Sequence, residues 1–251
     1  MELNICHLYP DILNLYGDRG NVLCMRKRLG WRGIDANVEE VSIGQKLEAS
    51  KYDLLFIGGG QDFEQEVLLP DLRREKTQEL ISAIEDGLPV LAICGGYQML
   101  GRTVSDPEQV EAAGVTEING LGLLEMDTEF RGEKVQTQTR GVFHGVEGML
   151  SGLNGLAYEG YEIHMGRSQQ QMPALTGSRN VYGSYVHGIF DVPGITDTIL
   201  KALCARKGVS FVALATFDAC GYRERQYDLL ADVVRGGLDM SFVYQVLRRE
   251  V

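Results

Sequence analysis

The sequence predicts an α/β fold, with a mostly parallel central sheet that carries helices on both faces. Short, continuously apolar segments alternate with longer segments of helical periodicity up to about residue 102. Strands that are buried on both faces of a parallel sheet have this apolar composition, and the alternation is typical of repeated strand–helix units. Glycines directly follow an apolar segment at residue 58 and stand again at residues 95 and 96, which indicates tight loops there.

The first half of the chain follows this pattern in order. Strands are predicted at 3–8, at 36–41 as an edge strand, at 52–57 and at 90–93. A polar, glycine-containing turn at 16–21 leads into a first helix, and a long helix spans 64–86 before Gly87 and Pro89 end it. The apolar residues predicted on the inner face of the first helix are Val22, Leu23, Met25 and Leu29.

The second half of the chain differs in composition and in its predicted elements. Residues 119–190 are rich in Gly, Thr and Val, and short strands are predicted at 122–126, 135–139, 158–164 and 181–186. We expect these strands to be partly antiparallel and to return to the edge of the central sheet. Helices follow at 195–207 and 222–248, the second broken at Gly236 and Gly237. With no linker, repeat or low-complexity tract, residues 1–251 are predicted to form one domain.

Composition excludes several function classes. The 251 residues carry a net charge of −11 without a dense Lys/Arg face, which argues against a nucleic-acid partner. No apolar run approaches the roughly 18–20 residues that a membrane span needs, and the N-terminal residues predict no signal peptide. Five scattered cysteines without a CxxC pair predict neither a disulfide framework nor a zinc site, and they fit a reducing cytoplasm. No cofactor is expected.

The run Val-Leu-Ala-Ile-Cys-Gly-Gly-Tyr-Gln at 90–98 is the most informative stretch of the chain. A buried strand that ends in a cysteine followed by two glycines is typical of a nucleophile elbow, which exposes the reactive side chain on a sharp strand-to-helix turn. The alternative is a buried packing cysteine, the usual place of a free thiol. Packing is the expected role of Cys6, Cys24, Cys204 and Cys220.

Two further elements could join Cys94 at the carboxyl ends of parallel strands, where α/β sheets bind ligands. The glycine run at 58–60 offers backbone N–H groups to an anion or an oxyanion, and the amide of Gly95 would be the natural second donor. The strand at 183–186 ends in His187, which could take the thiol proton and later protonate a leaving amine.

These residues carry a family resemblance. The chain resembles the class I, triad-type glutamine amidotransferases of the cobyric-acid-synthase-like branch, which have a flavodoxin-like three-layer fold. The matching motifs are Ile-Gly-Gly-Gly at 57–60, Cys-Gly-Gly-Tyr-Gln-Met-Leu-Gly at 94–101, Gly-Tyr-Glu-Ile-His-Met-Gly-Arg at 160–167 and Gly-Ser-Tyr-Val-His-Gly at 183–188. The segment at 13–21 looks like that of the free-standing glutaminase subunits of lipid II isoglutaminyl synthases.

The resemblance implies specific roles. Cys94 would attack the carboxamide of L-glutamine and form a γ-glutamyl thioester, with His187 as general base and then general acid. The oxyanion hole would be formed by Gly60 and Gly95. Two further residues would contact the substrate, namely Gln98 and, as a ligand of the α-carboxylate, Lys134. Neither a metal nor a cofactor is implied.

One position departs from the usual pattern. Many class I enzymes carry a glutamate two residues after the catalytic histidine, and here that residue is Ile189. We therefore expect the imidazole to lack the usual carboxylate, with the missing acid supplied by a partner subunit and the isolated chain a poor glutaminase. His164 is the second candidate for the base. Asp18 and Asn21 are either ordinary turn residues or part of the site rim or partner interface.

Three functions stay open on the sequence alone. The first is a glutaminase that delivers ammonia to an ATP-dependent Mur-ligase-like partner, which amidates the D-glutamate α-carboxylate of lipid II. The second is an ammonia donor for the amidation of cobyrinic or cobyric acid in cobalamin biosynthesis. The chain has no GxxxxGK[ST] motif, so in both cases ATP would be handled elsewhere. The third is an elbow-cysteine protein that is not an amidotransferase, since a fold does not determine a function.

Overall fold

The computed structural model describes residues 2–15, 18–60, 62–110, 117–168, 175–212 and 218–249. It divides the chain into two compact units, Met1–Val212 and Ala213–Val251, which are treated separately below. None of the helices within the described ranges is long and apolar enough to cross a membrane.

The first unit contains two β-sheets. In chain order, its strands are β1 (Glu2–Leu8), β2 (Asp35–Val41), β3 (Leu54–Ile57), β4 (Val90–Ile93), β5 (Thr103–Ser105), β6 (Glu117–Asn119), β7 (Asp127–Val142), β8 (Ala157–Ser168), β9 (Thr176–Ser178) and β10 (Val181–Ser184). The central sheet has the order β2-β1-β3-β4-β10-β9, with β9 antiparallel to β10 and every other neighbouring pair parallel. The predicted α/β class and the edge position of β2 are confirmed.

Helices connect these strands. The first unit contains α1 (Arg19–Gly30), α2 (Asp62–Asp71), α3 (Thr77–Glu85), α4 (Gly95–Leu100) and α5 (Pro193–Lys207). The long helix predicted at 64–86 is interrupted by a π-helical turn, Leu72–Lys76, which follows Pro70. Lys76 lies fully buried in this turn and pairs with Asp71, because a buried ammonium needs an opposite charge.

The core of the first unit consists of β1, β3 and β4, whose side chains are almost all buried, together with the inner faces of the helices. On α1, Val22, Met25 and Leu29 are buried as predicted. The predicted burial of Leu23 is wrong, because half of this residue is exposed. Of the four cysteines expected to pack, Cys6 and Cys204 are buried, Cys24 is partly buried and Cys220 is exposed.

The second sheet, in the order β6-β5-β7-β8, corrects the prediction for residues 119–168. The strands predicted at 135–139 and 158–164 do not join the central sheet, since β7 and β8 pair antiparallel with each other. The sequence Lys-Val-Gln-Thr-Gln-Thr-Arg of β7 has too few apolar side chains to be buried on both faces. Residues 122–126 form no strand, which also contradicts the prediction. The strand predicted at 181–186 does join the central sheet as β10, beside β4.

The second unit consists, in its described part, of α6 (Ala219–Gly237) and α7 (Met240–Leu247). The predicted break at Gly236 and Gly237 is confirmed. Each helix begins with a capping carboxylate. Asp218 accepts a hydrogen bond from the Gly221 N–H, and Asp239 accepts one from the Phe242 N–H.

Candidate active site

Four chain segments meet at one edge of the central sheet. The strands β1, β3, β4 and β10 run parallel and neighbour one another, so their carboxyl ends lie side by side. Asp18 follows β1, the glycines 58–60 follow β3, Cys94 follows β4, and His187 follows β10. The predicted convergence of the cysteine, glycine and histidine elements is therefore what the topology produces.

Cys94 stands at the strained apex of a strand–turn–helix element. Its backbone has φ 49° and ψ −110°, a conformation that a side-chain-bearing residue adopts only when the surroundings hold it. Its N–H donates to the Ser184 carbonyl at 2.9 Å, and its own carbonyl accepts from the Gln98 N–H at 2.9 Å. A Cβ on Gly96 would lie 2.6 Å from the Gly58 oxygen, so only glycine fits there. The predicted elbow is confirmed.

His187 is held by strand β8 from the second sheet. The backbone of His187 exchanges two hydrogen bonds with Tyr161, at 3.1 and 2.8 Å. The two rings are stacked, with 5.2 Å between their centroids, and the imidazole is fully buried. Backbone pairing and stacking together determine the position and the plane of the imidazole ring.

A carboxylate of the same chain contacts this imidazole. Asp18 Oδ1 lies 3.1 Å from His187 Nδ1, and both side chains are buried. Because a carboxylate accepts hydrogen bonds, Nδ1 of His187 carries the ring proton. Nε2 is then the nitrogen that can accept a hydrogen bond from another group. The expectation that the histidine lacks a carboxylate unless a partner supplies one is therefore wrong. Asp18 thus gives His187 a carboxylate contact that Ile189 cannot provide.

Gly59 lies between the three side chains of this cluster. A Cβ built on Gly59 would stand 2.8 Å from Asp18 Oδ2, 3.1 Å from the Cys94 Cβ and 3.5 Å from His187 Cε1. Any larger residue would push these groups apart, so glycine allows them to share one small volume. The Gly59 N–H donates to Asp18 Oδ2 at 2.7 Å.

The thiol of Cys94 faces strand β8 as well. Its Sγ lies 3.8 Å from the carbonyl oxygen of Ile163, within reach of a weak S–H hydrogen bond. Tyr161 and Ile163 belong to the motif at 160–167, so this strand contacts both the thiol and the imidazole. The site therefore lies between the edge of the central sheet and one strand of the second sheet.

Gln98 belongs to a buried polar network beside Cys94. Its Nε2 donates to the Tyr185 hydroxyl at 3.4 Å, and that hydroxyl lies 3.1 Å from Ser168 Oγ. Burial raises the pKa of Tyr185, so the phenol stays protonated and can act as a donor or an acceptor. The contact of Gln98 with the substrate stays a prediction.

His164, the second candidate for the base, uses both ring nitrogens within its own strand. Nδ1 lies 2.7 Å from the Gly166 oxygen, and Nε2 lies 3.3 Å from Glu162 Oε2. Its ring is stacked on Tyr185, with 4.0 Å between the centroids. The hydrogen bond from His164 lowers the pKa of Glu162. These contacts favour a structural role for His164.

The remaining predicted site residues have different surroundings. Gly95 directly follows Cys94 at the start of α4, and Gly60 directly follows Gly59, so both amides belong to the backbone that forms the site. Lys134 is exposed and lies in the irregular part of β7, between Phe130 and Val135. Their roles stay predictions. Among the described residues, no group of three or more His, Cys, Asp or Glu could hold a metal ion.

Sequence reasoning underestimated Asp18 and missed Tyr161 and Ile163 as neighbours of the site. A usable signal for Asp18 exists, because this residue follows a predicted parallel strand and so belongs to the same sheet edge as Cys94 and His187. No local pattern indicates that β8, in a different sheet, would close over the thiol.

Residues 4–194 match the family of CobB/CobQ-like glutamine amidotransferase domains. The chain belongs to this family. The predicted family is thereby confirmed. The motifs around Cys94 and His187 lie within the matched range.

Two kinds of curated relative match the chain. A cobyric acid synthase of Lachnoclostridium phytofermentans is 43% identical over 187 residues, which are 64% of this chain and 36% of that protein. A cobyric acid synthase of Ruminiclostridium cellulolyticum is 40% identical, and the chain spans 35% of its length. The GatD subunit of the glutamine-hydrolyzing lipid II isoglutaminyl synthase of Staphylococcus aureus is 35% identical over 224 residues, which are 84% of this chain and 88% of that protein.

Solved structures support the fold. A chain in the structure of PurLQS from Thermotoga maritima superposes with a TM-score of 0.54 and covers 82% of this chain and 100% of its own length. At 14% sequence identity, this likeness concerns the fold alone.

Proposed function

We propose that this chain is a glutaminase subunit that hydrolyses L-glutamine and delivers ammonia to a separate, ATP-dependent ligase subunit. The observation that supports the chemistry is the placement of Cys94 and His187 around Gly59, within the range that matches the family. The match to GatD, which covers 84% of this chain and 88% of that protein, supports a separate ligase subunit.

The proposed reaction begins with the thiol of Cys94. His187 Nε2 accepts the thiol proton as the sulfur attacks the carboxamide carbon of glutamine. The carbonyl oxygen becomes an oxyanion, which the backbone N–H groups of Gly60 and Gly95 stabilise. When this intermediate collapses, the C–N bond breaks, His187 returns the proton to the leaving nitrogen, and ammonia departs. A γ-glutamyl thioester remains on Cys94.

Water completes the cycle. His187 takes a proton from a water molecule as the water oxygen attacks the thioester carbon. The C–S bond then breaks, glutamate leaves, and the thiol is restored by the same proton. In this scheme Gln98 and Lys134 hold the glutamine, with Lys134 paired to its α-carboxylate.

The proposed acceptor of ammonia is the activated D-glutamate α-carboxylate of lipid II, held by a Mur-ligase-like partner in the cytoplasm. The likeness to GatD supports this acceptor. The five free cysteines are compatible with the reducing compartment. A second acceptor, a corrinoid carboxylate, is favoured by the higher identity to cobyric acid synthases.

The first test measures glutamate release from L-glutamine by the purified chain, beside Cys94→Ala and Cys94→Ser. We expect release by the wild type and a loss of roughly 10³-fold or more in either variant, since neither retains the thiolate nucleophile. Cys220→Ser, which changes an exposed cysteine, is the matched control and keeps the wild-type rate. Equal release by the wild type and Cys94→Ala would contradict the proposal.

The second test identifies the acceptor. The chain is combined with a Mur-ligase-like protein from the same organism, ATP, glutamine and lipid II, and the lipid product is analysed by mass spectrometry. Replacement of a carboxylic hydroxyl by an amino group, dependent on both proteins, is the expected result. Amidation of cobyrinic acid instead, with a corrinoid-specific synthetase as partner, would support the second acceptor.

A further inference from the structure

The carboxylate of Asp18 contacts both the histidine and the glycine run of the site. Its Oδ1 accepts from His187 Nδ1 at 3.1 Å and from Asn21 Nδ2 at 3.2 Å. Its Oδ2 accepts the backbone N–H of Gly59 at 2.7 Å. The side chain is 1% exposed, and these donors compensate the cost of burying its charge.

The orientation of this side chain is unusual for its place in the chain. Asp18 is the residue before the first turn of α1, where an aspartate normally accepts a hydrogen bond from the backbone of the helix. Its side chain makes no such capping bond. The carboxylate instead accepts from the side chain of Asn21, from His187 and from the backbone of Gly59. Stability of α1 alone does not explain this choice, because the cap would stabilise the helix by about 1 kcal/mol.

The segment that carries Asp18 is attached to the glycine run on both sides of Gly59. The Leu15 N–H donates to the Gly59 oxygen at 3.1 Å, while Asp18 accepts from the Gly59 N–H. A Cβ on Gly58 would meet the Leu13 oxygen at 2.4 Å, so the two segments are in direct contact. Asp18 is therefore held in place relative to the backbone beside Cys94.

We propose that Asp18 is the positioning residue of the catalytic histidine and completes a Cys94–His187–Asp18 triad within this chain. The inference rests on the proposed glutaminase function. Asp18 keeps the proton on Nδ1, so that Nε2 accepts the thiol proton, and its charge stabilises the imidazolium that forms. Through Gly59, the same carboxylate holds the backbone that precedes the Gly60 amide. The orienting acid thus comes from the loop after β1, and no partner has to supply it.

The test uses Asp18→Asn, which keeps the size of the side chain and removes the charge. An amide cannot accept on both sides, so either His187 or Gly59 meets an N–H group instead of an acceptor. We expect kcat for glutamate release to fall about 10²-fold or more, with KM within about threefold, because a misplaced imidazole proton affects the transition state more than substrate binding.

A second readout does not depend on glutamine. Iodoacetamide alkylates the thiolate, and the rate at Cys94 is followed on its peptide by mass spectrometry. We expect Asp18→Asn to slow this alkylation about tenfold or more, as His187→Ala does, because both variants impair removal of the thiol proton. Thermal unfolding of each variant establishes that the measured protein is folded, and Asp18→Ser replaces Asp18→Asn if the latter does not fold.

Asp53→Asn is the matched control. Asp53 is also buried and also accepts a backbone N–H, that of Asn4 at 2.7 Å, and it pairs with Lys207. It precedes β3, at the amino end of the strand and away from the site. We expect this variant to lower the melting temperature while kcat and the alkylation rate of Cys94 stay at the wild-type values.

The outcomes separate the two proposals. Wild-type kcat and wild-type alkylation in folded Asp18→Asn would overturn the positioning role and leave a Cys94-dependent glutaminase intact. Restoration of Asp18→Asn to full activity by a ligase partner would also overturn it, because the acid would then come from that partner. If the wild type released no glutamate, the glutaminase proposal would fail, and the alkylation rates would still decide whether Asp18 positions His187.

Discussion

Two carboxylate–histidine pairs among the described residues make similar contacts but are placed differently by the fold. The Asp18–His187 pair lies at the carboxyl edge of the central sheet, and the Glu162–His164 pair lies on β8 of the second sheet. In both, a ring nitrogen contacts a carboxylate, at 3.1 and 3.3 Å. Both imidazoles are stacked on a tyrosine ring. The chemistry of the pairs is therefore similar.

What differs is how the rings are attached to the fold. Both ring nitrogens of His164 contact residues of its own strand, Gly166 and Glu162, so both are engaged in structural contacts. His187 bonds through Nδ1 to a carboxylate 169 residues away, on a segment that also contacts the backbone next to Cys94. A carboxylate–histidine pair indicates a catalytic function only when the fold also places it beside a nucleophile.

The largest expected difference between the pairs is in catalysis. His187→Ala should lower kcat/KM for glutamate release about 10³-fold, since the general base and acid are lost together. His164→Ala, measured beside it, should lower kcat/KM by less than about tenfold. A larger loss in His164→Ala than in His187→Ala would reverse the assignment of the two histidines.

His7 shows what burial does to a histidine that has no carboxylate partner in the described part of the chain. His7 lies on β1 against Phe56, its Nε2 has no hydrogen-bond partner among the described residues, and burial lowers its pKa from 6.5 to about 4. Between these two pKa values, His7 is mostly protonated in the unfolded chain and mostly neutral in the folded chain. The free energy of unfolding should fall by about 2 kcal/mol from pH 7 to pH 5 through this residue alone.

The measurement is urea unfolding at pH 7 and pH 5, with His7→Leu as the comparison. The wild type should lose about 2 kcal/mol more than His7→Leu on this change of pH. An equal loss in both proteins would show that His7 is accessible to protons in the folded state.

The Glu162–His164 pair should contribute mainly to stability. His164→Asn keeps an N–H group toward the Gly166 oxygen but loses the contacts with Glu162 and Tyr185. The free energy of unfolding at pH 7 should fall by about 1–2 kcal/mol. Urea unfolding checks the loss, and an unchanged midpoint in His164→Asn would show that the stacking and the contact with Glu162 contribute nothing.

The smallest effect is expected from the carboxylate of this pair. His164 lowers the pKa of Glu162, so the contribution of Glu162 to stability is present above its ordinary value of 4.5 and is lost as the pH falls below it. Glu162→Gln should therefore be less stable than the wild type by under about 1 kcal/mol at pH 7, because the pair is partly exposed. The difference should vanish in acid, and a difference that persisted there would point to lost packing.

The sequence was a good guide to the central sheet and a poor guide to the second one. The strands β3 and β4 are continuously apolar, so their burial and their parallel pairing follow from composition. β7 is mostly polar over its 16 residues, and such a strand fits either an edge of the central sheet or a separate hairpin. Pairing with β8 decided between these, and pairing across a loop leaves no local pattern.

The sequence by itself determined the elbow at Cys94 and the histidine after β10, because each depends on a strand and the few residues that end it. The family motifs carried the same information. Only the tertiary structure decided which acid contacts His187 and which strand lies next to the thiol. Asp18 and Tyr161 reach the histidine through the order of strands in two sheets, and that order is set by long-range pairing and burial rather than by the residues beside them.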